Sequence, residues 1–133
     1  MNARITVYDD EDPVEIHSIQ ELEATISAAD IHARDEGRPN IIFVEVGNGN
    51  SFSMVVGSDE TVLGFNYGHN DPPYYASRGT ADTDEPIFTA FVALRHHTEF
   101  PRRYVIPAEL GLAAVREFVE SADLPNCVTW DAV

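Results

Sequence analysis

His96-His97-Thr98-Glu99-Phe100-Pro101-Arg102-Arg103-Tyr104-Val105-Ile106-Pro107 runs into a helical stretch and then into Leu124-Pro125-Asn126-Cys127-Val128-Thr129-Trp130. Between these two runs, Leu110, Ala114, Val115, Phe118 and Val119 recur at steps of three and four, which puts them on one helical face. Glu109, Arg116, Glu117, Glu120 and Asp123 fall on the other. Pro107 sits in the first turn, where its missing amide costs nothing. Pro125 blocks continuation, and Cys127 to Trp130 reads as a last strand ending in the only tryptophan. A helix of this kind must bury its stripe, and the chain upstream supplies a sheet for it.

That upstream chain is punctuated clearly. Arg4 to Tyr8 alternates and predicts a short strand, followed by an acidic loop at Asp9-Asp10-Glu11-Asp12-Pro13. Ser18-x-x-Glu21 is a capping box, with Glu21 expected to reach back to the Ser18 amide. Ile19, Leu22, Ile26, Ala29 and Ala33 make the apolar stripe of a helix over 18–36, and Gly37 and Pro39 end it. Asn40 to Val46 is an apolar run suited to a central strand covered on both faces. Gly47-Asn48-Gly49-Asn50 supplies a hairpin turn. Strands over Ser51–Gly57 and Thr61–Tyr67 complete a three-stranded meander, with Ser58-Asp59-Glu60 turning between them. Beyond the loop at Gly68–Pro73, a short strand covers Tyr74–Ser77, and a long buried strand runs from Pro86 to Leu94.

The order strand, helix, about five strands, helix, strand predicts an α+β fold. It has a mostly antiparallel sheet of about six to seven strands with two helices packed on it. The 133 residues fit one domain over 1–133, and the connecting loops are too short to be linkers.

Charge narrows the function. There are 23 acidic residues against 8 basic ones, all arginine, for a net charge of −15 and a pI near 4.4. This balance disfavours direct binding to nucleic acid or to an anionic membrane, and it favours fast encounter with a basic protein. It also keeps a protein in solution. A lone cysteine excludes an internal disulfide, and Cys127 in a strand reads as a buried, inert thiol. The beginning of the chain lacks the pattern of a secretory signal, and no apolar run approaches ~18 residues. The expected compartment is the cytoplasm.

No constellation of catalytic or cofactor-binding residues emerges. His96 and His97 with Glu99 suggest a metal, but neighbours in a strand face opposite sides, and no His-x-x-x-His or Cys-x-x-Cys spacing occurs. The serines lack a nucleophile elbow, Cys127 has no local base, and the glycines at 47 and 49 do not open a helix. What remains are residues that fit a partner surface. Tyr74 and Tyr75, like Tyr104, lie beside loops, where aromatics anchor a partner or cap the core edge. Arg102-Arg103 is the one basic pair, expected to meet Glu99 or an acidic loop. Asp59, Glu60 and Asp71, with the carboxylates of Asp9–Asp12 and Asp82–Glu85, fit a basic cleft on a partner.

Thr98-Glu99-Phe100-Pro101, Ile106-Pro107, Ala114-Val115-Arg116-Glu117-Phe118, Leu124-Pro125 and Val128-x-Trp130 resemble the C-terminal signature of immunity family one of bacterial polymorphic toxin systems. The Phe52-x-Met54-x-Val56 strand and the Tyr74-Tyr75 strand fit its outline, so the resemblance covers roughly residues 40 to 131. It implies a cytoplasmic, non-enzymatic protein that neutralises the toxin domain encoded beside it, often a deaminase or nuclease. The family brings no catalytic residues. Its pattern falls on Glu99, Phe100, Pro101, Pro107, Pro125 and Trp130, while Arg95-His96-His97 replaces its usual tryptophan-containing approach. The expected partner is a basic toxin domain that acts on nucleic acid, and the residues expected to meet it are Asp59, Glu60, Asp71, Tyr74, Tyr75, Glu99, Arg102 and Trp130. Two other classes fit the composition: an interaction module unrelated to toxins, and a small-ligand binder or enzyme, which a deep pocket with converging polar groups would mark.

Overall fold

The apolar run at Asn40–Val46 becomes a strand with three hydrogen-bonded neighbours, and the rest of the fold is arranged around it. The computed structural model describes residues 2–8 and 11–133. In chain order the elements are β1 (Ala3–Thr6), β2 (Val14–Ile16), α1 (Ile19–Glu36), β3 (Asn40–Val46), β4 (Ser51–Val56), β5 (Glu60–Thr61), β6 (Gly64–Asn66), β7 (Tyr75–Ser77), β8 (Phe88–Val92), β9 (His96–Phe100), β10 (Ile106–Pro107), α2 (Ala108–Ser121) and β11 (Trp130–Ala132). The main sheet runs β11-β7-β6-β4-β3-β1-β2, and β8 branches from the start of β3 to pair with β9. The β3–β8 pairing is parallel, and the other ladders are antiparallel. This is the expected α+β class.

Among the described residues there are eleven strands where six to seven were expected. β2 and β9 lie in stretches to which no strand was assigned, and β10 lies where the second helix was expected to start. The expected strand over 61–67 is split by two hydroxyls. Thr61 Oγ1 accepts from Val55 N and donates to Val55 O, both at 2.9 Å, which occupies the β4 edge there. Ser77 Oγ accepts from Leu63 N at 3.0 Å and donates to Tyr104 O at 2.7 Å. β5 therefore pairs with β10, and β6 pairs with β4 and β7. The strand expected over 86–94 stops at Val92, because Ala93 and Leu94 turn with φ of 54° and 61°.

Local signals place both helices well. Ser18 Oγ accepts from Glu21 N at 3.1 Å, while the Glu21 carboxylate reaches one residue further back than expected, to His17 N at 2.8 Å. Gly37 ends α1 with φ 69°. Pro107 precedes the first helical residue of α2 and pairs with Glu60, so it is a cap position and not part of the first turn. Both helices lie on one face of the sheet. Leu22, Ile26, Ala29 and Ala33 of α1, and Ala114, Val115, Phe118 and Val119 of α2, are buried against Phe52, Met54, Val56 and Phe65. Phe52 stacks on Phe118 at 5.2 Å between ring centroids, and each fully buried side chain of this size contributes roughly 1.5–3 kcal/mol. A second cluster of Ile41, Val55, Val62, Phe88, Ala90 and Val105 lies under the β8–β9 hairpin and a 3-10 turn at Arg102–Tyr104.

Candidate partner-binding surface

Register separates the two faces of the sheet. One cross-strand row, Ile5–Val44–Phe52–Phe65, is fully buried beneath the helices. The row one residue along, Thr6–Phe43–Ser53–Gly64–Ala76–Asp131, faces the other way. No helix covers it. The expectation that Asn40–Val46 is covered on both faces holds for its first half and fails for its second: Phe43 is 41% exposed and Glu45 is exposed. The β8–β9 hairpin explains the difference, since β8 meets β3 only at Asn40 and Ile41.

On this open face, Ser53, Gly64 and Ala76 form a low floor. Phe100, Pro101 and Tyr104 wall it on one side, leaving an apolar groove of about 290 Å³. A smaller hollow of about 180 Å³ lies on the other side of Phe43, bordered by Arg4, Thr6, Glu45 and Ser51. The small side chains are what keep the groove open. A Cβ on Gly64 would come 2.5 Å from Ser53 Oγ.

The residues expected to meet a partner do not form one patch. Asp59, Glu60 and Arg102 come together with the acidic loop: Arg102 pairs with Glu60 at 2.9 Å, its amide donates to Asp84 O at 2.9 Å, and Arg103 pairs with Asp84 at 3.4 Å. The arginine pair thus meets the acidic loop, as one of its two expected options had it. Glu99 instead lies 3.6 Å from His97, two residues away on the same side of β9. Asp71 and Tyr74 belong to the loop at the other end of β4, roughly 17 Å or more from Asp59 by strand rise. There Asp71 approaches His69 at 4.0 Å, and the Tyr74 hydroxyl donates to Asn70 O at 2.9 Å. Tyr75 turns inward against Phe65, with centroids 6.3 Å apart. Trp130 opens the last strand, where it was expected to close it, and its Nε1 donates to Pro125 O at 2.8 Å beside Phe52. Of the Asp9–Asp12 carboxylates, Asp9 and Asp10 lie outside the described residues. Sequence reasoning missed the open face. The one signal for it was Glu45, two residues beyond Phe43 and so on the same side of the strand.

Among the described residues, several arginines tie the chain to its own carboxylates. Besides Arg102 and Arg103, Arg34 holds Asp30 at 2.9 Å and Asp59 at 3.1 Å, and these carboxylates, Asp30 first, hold its guanidinium above the ordinary value. Arg116 crosses from α2 to Glu23 of α1 at 2.8 Å, Arg78 meets Asp131 at 3.5 Å, and Arg4 meets Glu45. With 23 acidic residues and 8 arginines, pairing every arginine with one carboxylate would still leave fifteen carboxylates without an arginine. The cleft between α1 and α2, about 320 Å³, has a mainly apolar interior around Ile26, Met54 and Leu112, and its charged groups bridge one another at the mouth.

Cys127 is exposed and precedes the last strand, contrary to the buried strand position expected, because the chain from Ala122 to Thr129 crosses the end of α2 as a loop. Partial desolvation, and then the Glu117 carboxylate, push its thiol up. Among the described residues no three His, Cys, Asp or Glu side chains converge as a metal site, and no helix is long and apolar enough to cross a membrane.

Comparison with known proteins adds one match. The family model described as Immunity protein Imm1 matches residues 10–132, which extends the resemblance seen over 40–131 to include α1. No curated protein matches the chain. A match of this span, on an α+β fold that carries the expected C-terminal helix and final strand, places the chain in the Imm1 family of immunity proteins.

Proposed function

We propose that residues 1–133 act as one binding unit that neutralises a toxin domain encoded beside it, in the cytoplasm, by covering the toxin's active surface and performing no chemistry. The observation that carries this reading is the family match over residues 10–132. The charge supports the finer part. A toxin acting on nucleic acid, as a deaminase or nuclease, needs a basic cleft for phosphate. A chain of net charge −15 with most of its arginines tied to its own carboxylates suits such a cleft. Attraction of this kind accelerates encounter by roughly 10- to 1,000-fold at low salt.

The test mixes the purified chain with the neighbouring toxin domain and follows association and toxin activity across salt. The expected result is stoichiometric inhibition, with an association rate that falls at least about tenfold as salt rises from about 50 to 500 mM. Lack of binding sinks the immunity reading, and tight binding with a salt-independent rate sinks only the electrostatic part.

A further inference from the structure

We infer that the open sheet face is the docking surface, and that the groove beside Phe43 receives an apolar side chain from a cationic segment of the toxin; this rests on the immunity reading above. Three observations meet here. Phe43 stands 41% exposed in the middle of a central strand, where the facing side of the same sheet is fully buried. Next to it lies an apolar groove of about 290 Å³. Its floor at Ser53, Gly64 and Ala76 is kept low by small residues in register across three strands.

The size suits a protein partner. The floor row crosses β1, β3, β4, β6, β7 and β11, and six strands at ~4.8 Å spacing give a face about 24–29 Å wide. A standard interface of ~800 Å² per partner is about 28 Å square. An exposed aromatic beside an apolar hollow, with charges at the margin, is the arrangement of an interface hot spot.

Charge identifies the occupant. At one end of the face, Arg4 stands in register between Glu15 and Glu45. At the other, behind the Pro101–Tyr104 wall, Arg102 and Arg103 meet Glu60 and a loop that carries Asp82, Asp84 and Glu85. Carboxylates outnumber arginines two to one at each end. A segment with an apolar residue at its centre and lysine or arginine on both flanks fits this distribution, and an acidic or uniformly apolar segment does not.

The experiment is hydrogen exchange on the chain alone and bound to the neighbouring toxin domain, with affinity measured for Ala76→Arg, Phe43→Glu and a control, Glu109→Arg, on the exposed side of α2. Protection is expected over residues 41–45, 62–66 and 75–77. The affinity of Ala76→Arg is expected to fall at least 100-fold, and that of the control no more than about threefold. Phe43→Glu keeps the surface acidic while removing the aromatic, and a loss of tenfold or more is expected. Should Ala76→Arg not fold, the exchange map of the unaltered chain decides. Binding with no protection on the sheet face overturns the docking surface and leaves the immunity reading intact. Failure of the unaltered chain to bind overturns both.

Discussion

Asn40 Oδ1 accepts the amide of Leu94 at 3.2 Å, joining the first residue of β3 to a turn 54 positions later. The turn needs the support. Ala93 and Leu94 both adopt left-handed φ, which costs an L residue with a Cβ about 1–2 kcal/mol each. Arg38 adds a second hold, donating to Leu94 O at 2.9 Å with its guanidinium 5.1 Å from the centre of the Phe91 ring. The Nδ2 of Asn40 donates in turn to Val7 O at 3.2 Å, so one buried amide ties β3, the residue that follows β1 and the β8–β9 hairpin.

Asn40→Ala therefore leaves the Leu94 amide and the Val7 carbonyl without their partner. Destabilisation of about 1–3 kcal/mol is expected in urea denaturation, because a polar group left unsatisfied costs more than a hydrogen bond contributes. Unchanged stability would show that the hairpin turn holds itself.

The ends of the two helices give paired predictions of opposite sign. Ala122 ends α2 in the left-handed region with φ 58°, where glycine is at ease, so Ala122→Gly is expected to stabilise by about 0.5–1 kcal/mol. Gly37 does the same for α1 with φ 69°, and a Cβ there would touch nothing within 4 Å. Gly37→Ala is thus expected to destabilise by about 1 kcal/mol through backbone conformation alone. Thermal melts of both variants against the parent provide the check, and shifts in the same direction would refute the account.

Cys127 offers a chemical readout. Its thiol is held above the ordinary cysteine value, by partial desolvation first and the Glu117 carboxylate second, so at a given pH less of it is thiolate. Alkylation by iodoacetamide near pH 8 should run slower than for a short unstructured peptide, despite the exposure of the residue. Glu117→Gln should speed it and move the pH profile of the rate to lower pH. A profile that does not move would assign the shift to desolvation alone.

Much of the fold was legible before any coordinates. Ser18 with Glu21, the stripe from Leu22 to Ala33, Gly37, the Gly47–Asn50 turn and the stripe from Ala114 to Val119 are each written within a few neighbouring residues, because capping, turn chemistry and helical period act between near neighbours. What stayed hidden depends on residues far apart in the chain. The hydroxyls of Thr61 and Ser77 break one strand into two, β8 finds β3 in parallel, and Arg102 and Arg116 select their carboxylates only once distant segments are brought together. The open face belongs to this second kind. Alternation along Phe43-Val44-Glu45 marks two sides of a strand, and Glu45 hints which side meets water, but that the side is left uncovered follows from both helices landing on the other one, a long-range packing outcome that no run of neighbouring residues fixes.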